Sequence, residues 1–390
     1  MIEPGKTIGM LGSGQLGRMF VYAAQRMGYR VHVLSPGTDT PAGQAANLEV
    51  TASYDDYDAV RAFARQLDVV SLEFENIPTE TVDVVSELVA VNPGRNVLEV
   101  AQNRIREKSQ LKSWGLPVPD FQVVSSANDI VEFVARHQSR GAVLKSAEAG
   151  YDGKGQYRVL SADDAQPALD SIDNRAAIIE EFVDYEFEVS VVSARNEQGE
   201  IHSFGPITNM HHNHILDVSV APSNRVSDPL RAELIQITES LMESLECIGV
   251  LCVEFFLGSD GRILINEIAP RPHNSGHLTI EACVTSQFEQ QVRAVCGLPL
   301  GSMEQIRSAA MANLLGQHVP TNQNQYRQLM AYPTVKLHSY GKAVANIDRK
   351  MGHLTATAET PELAESYVRE ARQALLDLAT DAESQKTHSV

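Results

Sequence analysis

The strongest constraint on the fold is the regular alternation of apolar strands with helical runs in the N-terminal part of the chain. The pattern predicts strands at 7–11, 30–34, 68–74 and 89–91, and helices at 18–27, 58–66 and 80–88. Such alternation is typical of a parallel sheet that binds ligands at the carboxyl ends of its strands. Glu73 and Glu75 stand at one such end, either as solvated charges or as contacts to a substrate hydroxyl or amine.

A glycine-rich turn, Gly12-Ser13-Gly14-Gln15-Leu16-Gly17, joins the first predicted strand to the first helix. The helix N-terminus behind such a turn can hold an anion. A dinucleotide site also needs an acidic residue at the end of the second strand to bind the ribose, and here that strand is followed by Ser35-Pro36. The sequence therefore disfavours a nicotinamide-dependent oxidoreductase. A phosphate on a smaller ligand and a tight turn without a ligand remain open.

A second glycine-rich segment follows the apolar strand that ends at Lys145. It runs from Ser146 to Gln156 and contains three glycines and Lys154. The exposed N–H groups of such a loop, together with two lysines, suit a polyphosphate. No Gly-Lys-Ser/Thr follows at the spacing of a Walker loop, and a hairpin turn on a solvated edge is the structural alternative.

This loop belongs to a predicted small α+β module. The segment 115–119 breaks the preceding helix and indicates a linker, after which strands and helices continue to Phe187. The last strand of the module ends in Glu180 and Glu181, and Glu188 in the next strand faces away from its apolar neighbours. The glycine-rich loop would be the flap of this module.

The strongest functional pattern is a predicted hairpin with a carboxylate on each strand. The strands 250–257 and 262–268 flank a short turn and carry Glu254 and Glu267. If the residues next to the turn lie opposite each other, the two carboxylates are diagonal neighbours about 7–8 Å apart on one face. Mg²⁺ prefers oxygen ligands of this kind together with phosphate oxygens. On that register the sequence predicts a magnesium site.

Basic residues occur directly after the predicted hairpin and in the predicted helix that precedes the small α+β module. Arg271 lies in a rigid polar segment, 269–277, directly after the second carboxylate strand, and its guanidinium could bind a carboxylate, bicarbonate or phosphate. The predicted helix 101–114 is also basic, and we interpret most of its cations as solvated surface. They are Arg104, Arg106, Lys108 and Lys112.

Composition excludes several classes of protein. A chain of 390 residues predicts two to three domains, and its net charge of −18 argues against nucleic acid or an anionic membrane as partner. The four cysteines form no metal-binding spacing and are expected to be reduced structural thiols, as in the cytoplasm. No signal segment or membrane span is expected.

Three motifs together resemble the ATP-grasp superfamily, and within it the purine-pathway branch that carboxylates aminoimidazole ribonucleotide with ATP and bicarbonate. They are the segments 12–18, 150–156 and 266–277. The resemblance implies α/β and α+β architecture: an N-terminal parallel α/β domain, a small flap domain and a C-terminal domain for metal and substrate. The expected boundaries are 1–107, 108–296 (flap about 119–187, metal-binding half about 188–296) and 297–390. A homodimer is also implied.

The resemblance implies the following roles. Lys145, Asp152 and Arg271 would be catalytic, and Glu254 and Glu267 would carry Mg²⁺. The ATP contacts would be Arg104, Lys145, Gly150, Tyr151, Asp152, Gly153, Lys154, Gly155, Gln156, Glu180, Glu181, Phe182, Val183, Glu188, His211, Asn266 and Glu267. The substrate contacts would be Gln15, Glu73, Tyr151, Asp152, His273, Asn274, Ser275, Lys336, Arg349 and Lys350, the last three as candidates for the 5′-phosphate.

The chain departs from the superfamily in one ligand position, and two alternatives to this function remain. Ala269 stands where an Asn oxygen ligand is common, so water, phosphate or Asn274 would replace it. Another ATP-grasp ligase, acting on formate or an amino acid, would share the same motifs. A nucleotide-binding regulatory protein without turnover would share them too.

Overall fold

The computed structural model describes residues 1–137, 140–148 and 155–387, with side chains through residue 375. Its N-terminal part is a parallel sheet of five strands in the order β3-β2-β1-β4-β5, as the alternating pattern predicts. The elements are β1 (Thr7–Leu11), α1 (Gln15–Arg26), β2 (Arg30–Ser35), β3 (Leu48–Thr51), α2 (Tyr57–Ala64), β4 (Val69–Leu72), α3 (Thr79–Ser86), β5 (Val91–Asn92), α4 (Arg95–Ala101) and α5 (Arg104–Ser113).

The central strand β1 is buried along its whole length because apolar residues cover both faces of the sheet. Ile8 and Met10 pack with Phe20 of α1 on one face. Leu11 packs in a second cluster, with Val60 of α2, on the other. Burial on both faces explains why this strand is continuously apolar in sequence.

Two helix boundaries differ from the sequence expectation, and a side chain explains each. Helix α1 begins at Gln15 rather than Arg18, because the carboxylate of Glu73 accepts hydrogen bonds from the first N–H groups of the helix. The predicted helix 101–114 is α5, which begins only at Arg104, because the Asn103 side chain accepts hydrogen bonds from the N–H groups of Ile105 and Arg106.

The second part is the predicted small α+β module. Its antiparallel sheet has the strand order β6-β9-β7-β8, with two helices packed on one hydrophobic core. The elements are β6 (Phe121–Val124), α6 (Ala127–Arg136), β7 (Ala142–Ser146), β8 (Gln156–Val159), α7 (Ala165–Ser171) and β9 (Ala177–Glu181). The flap residues Gly150, Tyr151, Asp152, Gly153 and Lys154 lie outside the described residues.

The third part is a largely antiparallel sheet in the order β15-β14-β10-β12-β13-β16-β18-β17, with β11 paired to β10. Its strands are β10 (Tyr185–Arg195), β11 (Ile201–Ser203), β12 (Ile207–His212), β13 (Ile215–Ala221), β14 (Gly249–Gly258), β15 (Ile263–Ala269), β16 (Ser308–Leu315), β17 (Val335–Ser339) and β18 (Lys350–Ala358). Its helices are α8 (Asp228–Ser244), α9 (Thr279–Ala282), α10 (Gln287–Val295), α11 (Gln323–Met330) and α12 (Pro361–Thr387).

The C-terminal residues complete this third sheet. Strands β16, β17 and β18 extend it beyond β13, and α12 packs its apolar side chains against them. In the described part of the chain, no helix combines the length and apolar character that crossing a bilayer requires.

Candidate active site

A cleft of about 990 Å³ opens where the three parts meet. The carboxyl ends of β1 and β4, the segment after β15, helix α5 and a C-terminal loop all contribute to its walls. Among its lining residues are Gln15, Glu73, Glu75, Arg104, Glu107, Glu267, Arg271, His273, Asn274, His277, Lys342, Arg349 and Lys350. Many residues predicted from distant parts of the sequence therefore share one cavity.

The two predicted metal carboxylates are paired across β14 and β15. Glu254 lies directly opposite Glu267, not diagonal to it, because the register shifts at a β-bulge. Phe255 pairs with Ile265 and Glu254 with Glu267, so Asn266 is the extra residue of the bulge. The expected diagonal register was wrong, and the correction brings the two carboxylates closer together.

This pair has the chemistry of a divalent cation site. Glu254 is buried, and burial together with the neighbouring Glu267 raises its pKa to about 8. A dication would relieve that repulsion, and carboxylate oxygens suit Mg²⁺. Within the described ranges no group of three or more His, Cys, Asp or Glu residues could hold a metal. Two facing carboxylates are a donor set that fits Mg²⁺, which commonly takes one or two protein carboxylates together with phosphate oxygens and water.

Glu188 and His211 form an ion pair on the neighbouring strands. The Nδ1 atom of His211 lies 2.8 Å from Glu188 Oε2. Burial alone would lower the pKa of His211, but the hydrogen bond to Glu188 raises it. A second histidine also approaches the carboxylate pair: His273 Nε2 lies 3.4 Å from Glu254 Oε1. The fold thus places three predicted site residues around Glu254.

Lys145 lies in a buried ionic cluster at the end of β7. Its Nζ is 2.5 Å from Glu180 Oε2, and Lys108 Nζ is 3.5 Å from the other oxygen of Glu180. Burial alone would raise the pKa of Glu180, but the two lysines lower it to about 2. The Glu180 side chain therefore binds both Lys145 and Lys108.

The other predicted nucleotide residues surround this cluster. Arg104 donates from its backbone N–H to Ala147 O (2.9 Å) and from Nη1 to Ser146 O (3.0 Å). Gly155 O accepts from Ser146 N–H (2.8 Å), and Gln156 pairs with Lys145. Both ends of the glycine-rich segment are therefore anchored beside Arg104 and Lys145. Glu181 pairs with Arg262, Phe182 lies under Arg158, and Val183 is buried.

Arg271 is held by Glu75 rather than standing free. Its Nε and Nη2 atoms donate to the two carboxylate oxygens of Glu75, at 2.5 and 3.2 Å. Burial would raise the pKa of Glu75, but Arg271 lowers it, and Glu75 in turn raises the pKa of Arg271. The Arg271 fork is thus oriented by Glu75 on the wall of the cleft.

Glu73 fills the place at which the glycine-rich turn could have held an anion. Its carboxylate accepts from the N–H groups of Gly14 and Leu16, the latter at 3.1 Å. A Cβ on Gly14 would lie 2.5 Å from Glu73 Oε1, so the turn closes tightly on this side chain. The N–H groups that a dinucleotide pyrophosphate would need are occupied by the protein itself.

The predicted substrate residues divide into two groups. Gln15, His273 and Asn274 line the cleft, and Asn274 Nδ2 is buried without a partner in the described residues. Ser275 is fully buried and bonded to Ser190 Oγ (2.7 Å), which gives it a structural contact.

The basic residues predicted to bind the 5′-phosphate also fall into two groups, inside and outside the cleft. Arg349 and Lys350 line the cleft, whereas Lys336 is exposed on β17 and is not among the lining residues. Lys342, which the sequence did not single out, takes that place, and its Nζ donates to Lys350 O (2.6 Å). The signal available was a lysine directly after Gly341 in a loop between two predicted basic positions.

Helix α5 holds two charged residues that sequence reasoning missed. Lys108 is 1% exposed and Glu107 4% exposed, although the helix reads as solvated and basic. Burial raises the pKa of Glu107 to about 8 in spite of the charge on Lys108. The spacing of Arg104, Lys108 and Leu111 could have shown that these residues share one helix face.

Comparison with known families agrees with this geometry. Residues 109–288 match the ATP-grasp domain, residues 5–102 the ribonucleotide synthetase preATP-grasp domain, and residues 309–367 the phosphoribosylaminoimidazole carboxylase C-terminal domain. The fold is that of an ATP-grasp enzyme, and the chain is an ATP-dependent ligase.

Relatives that match nearly the whole chain narrow this class. N5-carboxyaminoimidazole ribonucleotide synthase of Bacillus subtilis is 39% identical over 91% of this chain and 92% of its own. The chain belongs to the N5-carboxyaminoimidazole ribonucleotide synthase family.

Two solved structures of this family are similar throughout. An ADP complex of the synthetase has a TM-score of 0.91 and 40% identity, covering 97% of this chain and 98% of that one. The Aspergillus clavatus enzyme, with ADP and 5-aminoimidazole ribonucleotide, has a TM-score of 0.87 and 30% identity, covering 95% and 98%.

Proposed function

We propose that this chain carboxylates the exocyclic amine of 5-aminoimidazole ribonucleotide in purine biosynthesis. ATP and bicarbonate would be consumed, and N5-carboxyaminoimidazole ribonucleotide, ADP and phosphate would form. The observation that carries the proposal is the single cleft that joins the carboxylate pair at Glu267 to the basic loop at Arg349 and Lys350. The bound molecules of the Aspergillus clavatus structure support it.

The first step would transfer the γ-phosphoryl group to bicarbonate. A bicarbonate oxygen attacks the γ-phosphorus, the bond to the bridging oxygen breaks, and ADP leaves with that electron pair, giving carboxyphosphate. Mg²⁺, held by Glu254 and Glu267, would neutralise charge on the phosphate oxygens. Lys145, fixed by Glu180, and Arg271, fixed by Glu75, offer cations that need no reorganisation during the reaction.

The second step would form the carbon–nitrogen bond. The amine of the ribonucleotide attacks the carbon of carboxyphosphate, the carbon–oxygen bond to phosphate breaks, and phosphate leaves with that electron pair and takes up the proton that the amine loses. In the alternative, carboxyphosphate first breaks down to phosphate and carbon dioxide, and the amine then attacks the carbon dioxide and gives its proton to the phosphate. Positioning of the two reactants is the main contribution that the protein can make to this step. His273 and Asn274, which line the same cleft, would orient the amine.

The substrate 5′-phosphate would bind at the C-terminal loop. Arg349, Lys350 and Lys342 bring three cations to one wall of the cleft, in a protein whose net charge is −18. Charge-assisted hydrogen bonds to phosphate are the strong ones, so this wall is the best anion site opposite the carboxylate pair. Lys336 is left out of this assignment because it lies outside the cleft.

Further parts of the proposal concern the whole protein. We retain the domain division at 107 and 296, a homodimeric state and a cytoplasmic location. The cysteines of the described chain are free thiols, which suits a reducing compartment. Neither nucleic acid nor an anionic membrane suits so acidic a chain.

The proposal is tested by ADP release from the purified chain with Mg-ATP. ADP should form rapidly only when bicarbonate and 5-aminoimidazole ribonucleotide are both present, and omission of the ribonucleotide should lower the rate at least tenfold. ADP release with formate or an amino acid, and none with bicarbonate and the ribonucleotide, would assign the chain to another ATP-grasp reaction. Binding of ATP without ADP release under any of these conditions would indicate a regulatory protein.

A further inference from the structure

Lys108 is a charged side chain in the interior for which the proposed reaction has no direct use. It lies on α5, one helical turn after Arg104, and only 1% of it is exposed. Burial lowers its pKa, as expected for an ammonium group removed from water. A buried cation is costly unless its N–H groups find acceptors, so its contacts indicate what it does.

Two of its acceptors lie at the bulge of β15. Lys108 Nζ donates to Ile265 O at 2.9 Å and to Asn266 O at 2.6 Å. Asn266 is the extra residue of the bulge, where the regular ladder to β14 is interrupted. A buried carbonyl without a partner is destabilising, and Lys108 supplies the donors that the ladder lacks at this point.

This bulge also sets the register of the two carboxylates. Without the extra residue, Glu254 would face Asn266, and Glu267 would lie one position further along the ladder from Glu254. Side chains alternate between the faces of a strand, so the shift would turn Glu267 away from Glu254. The contacts of Lys108 therefore stabilise the backbone arrangement that pairs Glu254 with Glu267.

The third contact of Lys108 reaches the other half of the site. Glu180 Oε1 lies 3.5 Å away, too long for a strong hydrogen bond but close enough for an ion pair, and Glu180 Oε2 binds Lys145. Because Lys108 shares the carboxylate, the charge of Glu180 is divided between two lysines. Lys145 is then left with more net positive charge toward a polyphosphate.

We propose that Lys108 is a positioning residue that holds the β15 bulge, and with it the Glu254–Glu267 pair, in the arrangement that binds the metal of Mg-ATP. This inference rests on the proposed function for its metal site. It does not depend on which acid or amine the enzyme joins.

The test is Lys108→Met, which keeps the length of the side chain and removes its charge and donors. The matched control is Lys112→Met on the same helix, where the side chain is 60% exposed. Mn²⁺ binding to each protein with ADP, followed by the electron paramagnetic resonance signal of free Mn²⁺, reports the site without turnover. The dissociation constant for Mn²⁺ should rise at least tenfold in Lys108→Met and less than twofold in the control.

A second measurement separates positioning from general damage. The Michaelis constant for 5-aminoimidazole ribonucleotide should stay within about twofold of wild type in Lys108→Met. Equal losses in Mn²⁺ and ribonucleotide affinity would mean a merely structural role, and wild-type Mn²⁺ affinity would overturn the proposal outright. If neither the wild type nor the variants turn over the ribonucleotide, the proposed reaction is wrong, but the Mn²⁺ comparison still decides the role of Lys108.

If Lys108→Met does not fold, Lys108→Gln takes its place. Glutamine is one bond shorter than lysine and uncharged, so its N–H groups do not reach both carbonyls from the same helix position. Its Mn²⁺ dissociation constant should rise at least threefold, with circular dichroism unchanged from wild type. An unchanged constant in this folded variant would contradict the proposal.

Discussion

Glu254 on β14 lies directly opposite Glu267 on β15, because a bulge at Asn266 shifts the register between them. Two carboxylates at adjacent, directly facing positions are unfavourable without a cation, and the raised pKa of Glu254 reflects this. The first prediction below follows from that arrangement.

Glu267→Gln should abolish turnover and leave the fold intact. The substitution removes one negative charge from the carboxylate pair and barely changes the side-chain volume. The loss of kcat should exceed about a hundredfold, in line with a phosphoryl transfer that depends on charge neutralisation. The measurement is ADP release over a range of Mg²⁺ concentrations, with thermal unfolding as the check on the fold. Wild-type rates at limiting Mg²⁺ would rule out Glu267 as a ligand.

Replacing both Arg349 and Lys350 by Ala should weaken binding of the ribonucleotide but not of ATP. Each charge-assisted contact contributes about 1.5–3 kcal/mol when well made, and about 1.4 kcal/mol corresponds to a tenfold change. The Michaelis constant for 5-aminoimidazole ribonucleotide should rise at least tenfold, while that for ATP barely changes. Lys336→Ala is the matched control and should alter neither constant, since Lys336 lies outside the cleft. An equal loss for ATP would show that the phosphate has been assigned to the wrong wall.

Arg271→Lys should reduce kcat although the charge is retained. Lysine cannot reproduce the two parallel hydrogen bonds to Glu75, so the cation would lose its fixed orientation. We expect a decrease in kcat of at least about tenfold, measured with all substrates saturating. Arg95→Lys changes a partly exposed arginine that pairs with Asp83 outside the cleft, and should leave kcat unchanged. Full activity of Arg271→Lys would mean that orientation by Glu75 is irrelevant to the reaction.

Asp217→Asn should destabilise the protein at neutral pH but not in acid. Burial raises the pKa of Asp217, but hydrogen bonds from Arg372, at 2.5 and 3.0 Å, lower it overall. A depressed folded-state pKa contributes stability above the unfolded value of about 3.9, which is lost as the pH falls through the folded-state value. The free energy of unfolding should fall by about 1–3 kcal/mol at pH 7.

Urea unfolding at several pH values checks this prediction. The difference between wild type and Asp217→Asn should shrink steadily below about pH 4. Asp228→Asn, where the side chain is 99% exposed, is the control and should show no difference at any pH. A difference that stays constant into acid would mean that the charge of Asp217 does not contribute.

The alternation of elements and the hairpin carboxylates could be predicted from sequence because they depend on local periodicity. The parallel N-terminal sheet, the small α+β module and the placing of Glu254 and Glu267 together followed from such patterns, whereas the strand order did not. The bulge at Asn266 could not be predicted, because its carbonyls are stabilised by Lys108, 158 residues earlier in the chain. The basic composition of α5 was misleading for the same reason. It indicated solvated side chains, whereas Lys108 is buried against carbonyl groups that are distant in the sequence. The sequence indicated Lys336 and not Lys342 as a candidate for the phosphate, because the path of a loop over a cleft has no periodic pattern in the sequence.

We expect a bicarbonate oxygen to attack the γ-phosphorus of ATP in this cleft. A single turnover with ¹⁸O-labelled bicarbonate, Mg-ATP and 5-aminoimidazole ribonucleotide tests this step. We predict that the released phosphate carries one labelled oxygen, detected by the isotope shift in its ³¹P spectrum. Phosphate whose new oxygen comes from unlabelled water, formed at the same rate as ADP, would contradict the account.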